Sequence, residues 1–149
     1  MSTLQAIFGK LPGRSLVRAI DRGLGWLERR SKKWTSYLVV ADHGARLLNC
    51  GTQAVVWELR WTDVVEIFAW KQDCFTVDLI CMEFHTRADA AHIYLCHEQQ
   101  EGWQELCRGV ELRFGIDPGW WSAVAFPPFA ENRRLLWRDP DVDLPYSAR

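Results

Sequence analysis

The sequence predicts an α+β domain in which a bent antiparallel sheet of about six to seven strands is closed by a helix, with an amphipathic helix before it. Three observations predict this class. Short runs of β-branched and aromatic residues, separated by turn residues, fill positions 34 to 97. A helical stripe of apolar residues follows within positions 99 to 114. The 149 residues are 48% hydrophobic and include nine Trp, which is enough apolar material for one self-sufficient core.

The first 33 residues form a basic segment that contains the predicted amphipathic helix. Its apolar residues recur at helical spacing: Leu16, Val17, Ile20, Leu24 and Leu27. The segment has a net charge of +6, because it holds eight basic and two acidic side chains, whereas residues 34 to 149 have a net charge of −7. The helix at 14 to 30 either packs on its own domain or binds a partner or an anionic membrane surface.

Residues 34 to 138 are the predicted globular domain, and residues 139 to 149 are predicted to be a mobile tail. Strands are expected at about 34 to 41, 45 to 50, 54 to 61, 64 to 71, 74 to 85 and 91 to 97. The stretch 129 to 138 is expected to end in a last short strand or a docked segment. The turn residues Asp42-His43-Gly44 and Asn49-Cys50-Gly51 separate the first three strands.

Cross-strand pairing predicts the register of the hairpin that follows these strands. A two-residue turn at Gln72-Asp73 places Trp70 opposite Phe75 and Phe68 opposite Val77. Aromatic and β-branched pairs of this kind each stabilise a sheet by about 0.2 to 1 kcal/mol, which favours this register.

The next predicted hairpin turns through Arg87 to Ala90. Its expected pairs are His85 with His92, Glu83 with Tyr94 and Cys81 with Cys96, and its expected core face carries Met82, Phe84, Ile93 and Leu95. The paired face would hold several side chains that can bind metals, so a zinc site is one hypothesis. Because their spacing matches no established zinc motif, ordinary strand residues with reduced thiols are the favoured interpretation.

A helix is predicted at about 99 to 114. Its apolar residues form one stripe: Trp103, Leu106, Cys107, Val110 and Phe114. Gly115 is expected to end this helix. Asp117-Pro118 is expected to begin a second, short helix that runs to about Ala125.

Asp63, Asp73, Asp78 and Lys71 are the residues that a catalytic hypothesis would use, since carboxylates beside an amine can carry out acid–base chemistry. The favoured interpretation is structural. Asp78 lies within an apolar run and is expected to meet Lys71 or backbone donors, because a buried charge requires a partner. The sequence contains no established catalytic motif, phosphate-binding glycine loop or dinucleotide fingerprint, so no catalytic residue, metal or cofactor is assigned.

Charge and cysteine usage restrict the expected partners and compartment. The negative charge of residues 34 to 149 disfavours nucleic acid as a partner, because its phosphates would be repelled. The five cysteines are an odd set without C-x-x-C spacing, as expected for reduced thiols in a cytoplasmic protein. No apolar run approaches the roughly 20 residues that span a bilayer, and the N-terminus lacks the apolar block of a secretory signal.

The strands and the helix beginning Glu101-Gly102-Trp103-Gln104-Glu105-Leu106 together resemble the pleckstrin-homology-like fold over about residues 34 to 114. The resemblance implies a bent sheet plugged at one end by this helix. Phosphoinositide-binding members of that family carry several Lys or Arg in the first hairpin. The corresponding turn here, Ala41-Asp42-His43-Gly44-Ala45-Arg46, has one basic residue, so the resemblance does not imply lipid binding at this turn.

The run from Trp61 to Asp73 is also similar to small bacterial proteins, some of which are immunity factors that neutralise a toxin. The leading hypothesis is therefore a non-enzymatic protein-binding module of the immunity type, whose acidic body covers a basic partner. Its expected partner-binding residues are Asp63, Glu66, Trp70 and Asp73. The alternatives are a peripheral membrane adaptor that uses the basic helix, and a small metalloprotein or enzyme.

Overall fold

The computed structural model describes residues 36–74, 77–128 and 130–142. These residues form an α+β domain with two antiparallel sheets and two helices. The predicted amphipathic helix at 14 to 30 and the predicted tail from residue 143 onward lie outside the described residues.

The first sheet has three strands, β1 (Ser36–Ala41), β2 (Gly44–Asn49) and β3 (Val55–Arg60), in the order β1-β2-β3. The turn after β2 forms where the sequence predicts it, because the Asn49 carboxamide oxygen accepts the backbone N–H groups of Gly51 at 2.9 Å and Thr52 at 3.0 Å. This local hydrogen bonding is the usual reason that asparagine favours turns.

The second sheet has four strands, β4 (Val64–Asp73), β5 (Asp78–Thr86), β6 (Ile93–His97) and β7 (Arg134–Arg138), in the order β6-β5-β4-β7. One turn of 3₁₀ helix, Trp61–Asp63, connects β3 to β4. The described strands thus form sheets of three and four, where the sequence predicts one bent sheet. Strand β7 comes last in the sequence of the domain, yet it pairs with β4.

Helix α1 (Trp103–Phe114) and helix α2 (Trp120–Ala125) follow β6. The predicted stripe of α1 is confirmed, since four of its five members are buried: Trp103, Leu106, Cys107 and Val110. Gly115 ends the helix in the left-handed conformation, as predicted. Helix α2 begins slightly later than predicted, at Trp120, after the Asp117 carboxylate accepts the N–H of Gly119 at 2.6 Å.

The predicted register of the β4–β5 hairpin is wrong. Strand β4 continues to Asp73 and β5 begins only at Asp78, so a longer connection replaces the two-residue turn. In the observed register Trp70 lies opposite Cys81, and Phe68 lies opposite Glu83. Cross-strand pair preferences of a few tenths of a kcal/mol did not decide the register. The observed pairing instead places the buried residues Phe84 and Met82 opposite Ile67 and Ala69 in the core.

The predicted register of the β5–β6 hairpin is wrong by one residue. His85 lies opposite Ile93, Glu83 opposite Leu95, and Cys96 opposite Met82. The turn is longer than expected because it includes His92, whose N–H donates to the Asp89 carbonyl at 3.3 Å. A one-residue shift reverses the faces of a strand. Ile93 and Leu95 are therefore exposed, and Cys96 lies in the core.

Tryptophan side chains connect the two sheets around one core. The Trp57 indole on β3 donates to the Leu95 carbonyl on β6 at 3.0 Å and meets the Tyr94 ring edge-on at 5.9 Å. The Trp61 indole donates to the Ala41 carbonyl at 3.0 Å. These two indole N–H groups thus both have a strand carbonyl as acceptor, as buried tryptophans usually require.

The packed part of the domain extends past the predicted boundary at residue 138. The Asp139 backbone N–H donates to the Val65 carbonyl at 2.9 Å, and its carboxylate accepts a hydrogen bond from Arg87. Asp139 is buried although the sequence predicts a tail at this position.

Candidate functional site

A cleft of about 280 Å³ lies at the end of the β4–β5 hairpin. Its lining residues are Trp70, Lys71, Gln72, Asp73, Asp78, Ala130 and Glu131. Two of the four predicted partner-binding residues, Trp70 and Asp73, lie here together. Three carboxylates and one ammonium group line the cleft, so its charge is negative overall.

The Lys71 side chain makes three hydrogen bonds within the domain. Its Nζ donates to Asp78 Oδ2 at 3.1 Å, to the Ala125 carbonyl at 3.0 Å and to the Pro127 carbonyl. An ammonium group has three N–H donors, and here each has an acceptor. Of the two kinds of partner predicted for Asp78, Lys71 or backbone donors, the structure shows Lys71. The role of the Lys71 ammonium is therefore structural. An ammonium group whose three N–H donors are all bonded has no lone pair with which to act as a base or nucleophile.

The backbone carbonyl groups at and just after the C-terminal end of α2 accept hydrogen bonds from side chains. Lys71 binds two of these carbonyls, and Asn132 donates to the carbonyls of Val124 and Phe126. Arg134 donates to the Ala123 carbonyl at 3.2 Å. A helix end leaves such carbonyls without intrahelical donors. Side chains from β4 and from the chain around the start of β7 therefore fix the position of this helix end.

The loop that closes the cleft is attached to β4 through the backbone. The Lys71 N–H donates to the Glu131 carbonyl at 3.1 Å, which places Ala130 and Glu131 in the cleft wall. Sequence reasoning missed both residues. They are about 60 positions from β4, and only the pairing of β7 with β4 brings them there.

The structure separates the other two predicted residues from this cleft. Glu66 is fully buried, and its Oε1 accepts a hydrogen bond from Arg138 Nε at 2.9 Å. Asp63 lies at the opposite end of β4, where it lines a second cleft of about 280 Å³ with Glu58, Arg60 and other residues. Of the four predicted partner-binding residues, Trp70 and Asp73 therefore share one cleft, whereas Glu66 and Asp63 lie elsewhere.

The Trp70 side chain is only partly exposed in the cleft wall. Its indole N–H is buried and has no hydrogen-bond acceptor among the residues that the structure describes. Trp57 and Trp61, by contrast, both donate to backbone carbonyls. Of Trp57, Trp61 and Trp70, Trp70 is thus the one whose indole N–H has no acceptor within the described residues.

The residues of the zinc hypothesis are divided between the two faces of their sheet. Glu83 and His85 alternate with core residues, and His85 Nε2 lies 3.1 Å from Glu83 Oε1. Arg133 donates to the same oxygen, so this carboxylate is bound by protein groups. Cys96 lies in the core, on the other face. Within 36–74, 77–128 and 130–142, no three His, Cys, Asp or Glu side chains are grouped to hold a metal ion.

Burial of the thiols predicts a stability change at alkaline pH. Burial raises the pKa of Cys81 and of Cys107 from 9.0 to about 12. In the unfolded chain these thiols lose their protons near pH 9, whereas in the folded chain they keep them until about pH 12. The free energy of unfolding should therefore fall as the pH rises from about 9 towards 12.

Urea midpoints measured from about pH 8 to about pH 11 check this expectation. The fall should be shallower in the Cys81→Ala/Cys107→Ala variant, which removes two of the buried thiols. Cys50→Ala removes an exposed thiol and should keep the wild-type slope. Equal slopes in all three proteins would contradict the prediction.

Comparison with protein-family models, with curated proteins and with solved structures found no significant match. Among the described helices, neither is long and apolar enough to cross a membrane. All five cysteines are free thiols.

Proposed function

We propose that this protein is a non-enzymatic protein-binding module of the immunity type, which neutralises a basic partner such as a toxin through an acidic surface. The observation that carries the proposal is the cleft in which Trp70, Asp73 and Glu131 meet. A tryptophan flanked by carboxylates suits a cationic partner, because a cation is attracted both to the carboxylates and to the face of the indole ring.

We also propose a cytoplasmic location, which the free thiols support.

The charge of the domain supports the same partner class. The chain as a whole has a net charge of −1, but residues 34 to 149 have a net charge of −7, and negative charge near the cleft favours a positively charged protein. We further propose a pleckstrin-homology-like fold, which is supported by two antiparallel sheets followed by a helix with a buried tryptophan.

Affinity purification from a lysate of the source organism, followed by binding measurements on the isolated partner, tests the proposal. Asp73→Lys should weaken binding about thirtyfold, since the loss of a central interface residue costs about 2 kcal/mol. The matched control is Asp42→Lys on the exposed β1–β2 turn, which makes the same charge change away from the cleft and should change affinity less than threefold.

Ionic strength gives a second measurement on the same complex. Raising the salt concentration from about 0.05 M to about 0.5 M should slow association with the wild-type protein, because the longer-range attraction is screened. A partner that binds Asp73→Lys with unchanged affinity and unchanged salt dependence would count against this surface.

A further inference from the structure

We infer that Lys71 is the positioning residue of the Trp70 cleft: it makes no contact with the partner but holds the cleft wall in place. This inference rests on the proposed function, since the cleft is the site at which the partner is proposed to bind. Lys71 joins three parts of the domain, namely its own strand β4, Asp78 on β5, and the chain that leaves α2.

The ammonium group is inaccessible to a partner. The Lys71 side chain is 2% exposed, and its three donors are all bonded within the domain. A partner contact would therefore have to break an existing hydrogen bond of a buried charge, which is strongly unfavourable. Unlike Lys71, Trp70 is partly exposed in the cleft wall, and Asp73 and Glu131 are exposed there.

The side chain and the backbone N–H of Lys71 both bind the chain that follows α2. Its ammonium binds the carbonyls at Ala125 and Pro127, where the chain leaves α2. Its backbone N–H binds the Glu131 carbonyl a few residues later. Removing the ammonium releases the first attachment, and the second is then the next to open because it closes the same loop. The expected effect is local, at the wall that carries Glu131.

Amide hydrogen exchange measured by NMR on the full chain tests this inference. In Lys71→Met the amide of position 71 should exchange at least tenfold faster than in the wild type, relative to slow amides of β2 such as that of Leu47. If Lys71 contributed only to the overall stability of the domain, all slow amides would instead accelerate by the same factor, because exchange would then occur through global unfolding.

The variant Lys71→Met/Asp78→Asn keeps the test decisive if the single substitution prevents folding, since it also removes the carboxylate that loses its ammonium partner. Arg134→Met is the matched control: it deletes a hydrogen bond to the same helix end, at the Ala123 carbonyl, from an exposed side chain. It should leave the amide of position 71 unchanged. Uniform acceleration, or none, in both Lys71 variants would overturn the inference.

A spectroscopic probe reports on the cleft itself. In protein labelled with 5-fluorotryptophan, the ¹⁹F resonance of Trp70, assigned through Trp70→Phe, should shift in Lys71→Met. The resonance of Trp57, at the contact between the sheets, should not. A shift at Trp57 without one at Trp70 would contradict local positioning. Unchanged partner affinity in a variant whose wall has opened would count against the proposed function, and not against the attachment by Lys71.

Discussion

Gly102→Ala should destabilise the domain by about 3 kcal/mol, the sum of a backbone and a steric cost. Gly102 has φ +85°, a left-handed conformation that residues with a Cβ rarely adopt. A Cβ at this position would also lie 2.3 Å from the Leu38 carbonyl oxygen. The backbone cannot retreat easily, because the Leu38 N–H donates to the neighbouring Glu101 carbonyl at 2.8 Å. Urea unfolding followed by tryptophan fluorescence measures the loss.

Two other glycines separate the two costs. Gly115 has φ +64° with nothing within 4 Å of an added Cβ, so Gly115→Ala should cost only about 1 kcal/mol. Gly44 lacks a positive φ, but an added Cβ would lie 2.1 Å from the Leu59 carbonyl oxygen, so Gly44→Ala should cost about 2 kcal/mol. A Gly102→Ala protein no less stable than Gly115→Ala would show that α1 does not pack closely against β1.

Leu106→Ala should destabilise the domain by about 2 to 5 kcal/mol, because it leaves a cavity where a buried side chain fills the core. Leu106 is 0% exposed and lies in the core cluster with residues of both sheets. Leu112→Ala is a matched control on the same helix, since Leu112 is 81% exposed. That substitution should change stability by no more than about 0.5 kcal/mol.

Urea midpoints of the two leucine variants therefore decide whether α1 closes the core. Similar losses in both would contradict this packing, because Leu→Ala improves helix propensity equally at the two positions and cannot itself account for a loss. A large loss at Leu106 alone supports the packing of this helix over both sheets.

The candidate site was only partly predictable from the sequence. Trp70 and Asp73 lie on one strand near its end, so their proximity follows from strand geometry alone. Glu66 precedes Trp70 by four residues in the same strand, and nothing in its local pattern distinguishes it, yet it is buried against Arg138. The burial of a carboxylate depends on a cation from β7, a strand that no local rule places beside β4.

The sequence by itself determined the α+β class of the fold, the existence of the strands and helices that the structure describes, the end of α1 at Gly115 and the need of Asp78 for a partner. These follow from forces that act over a few residues: alternation of apolar side chains, turn chemistry, glycine conformation and the need of a buried charge for a partner. Tertiary structure decided both hairpin registers, the division into two sheets and the cleft wall at Glu131. In β6 the one-residue shift changes which face of the strand is buried, and in both hairpins the free energy of burial depends on neighbours distant in the chain.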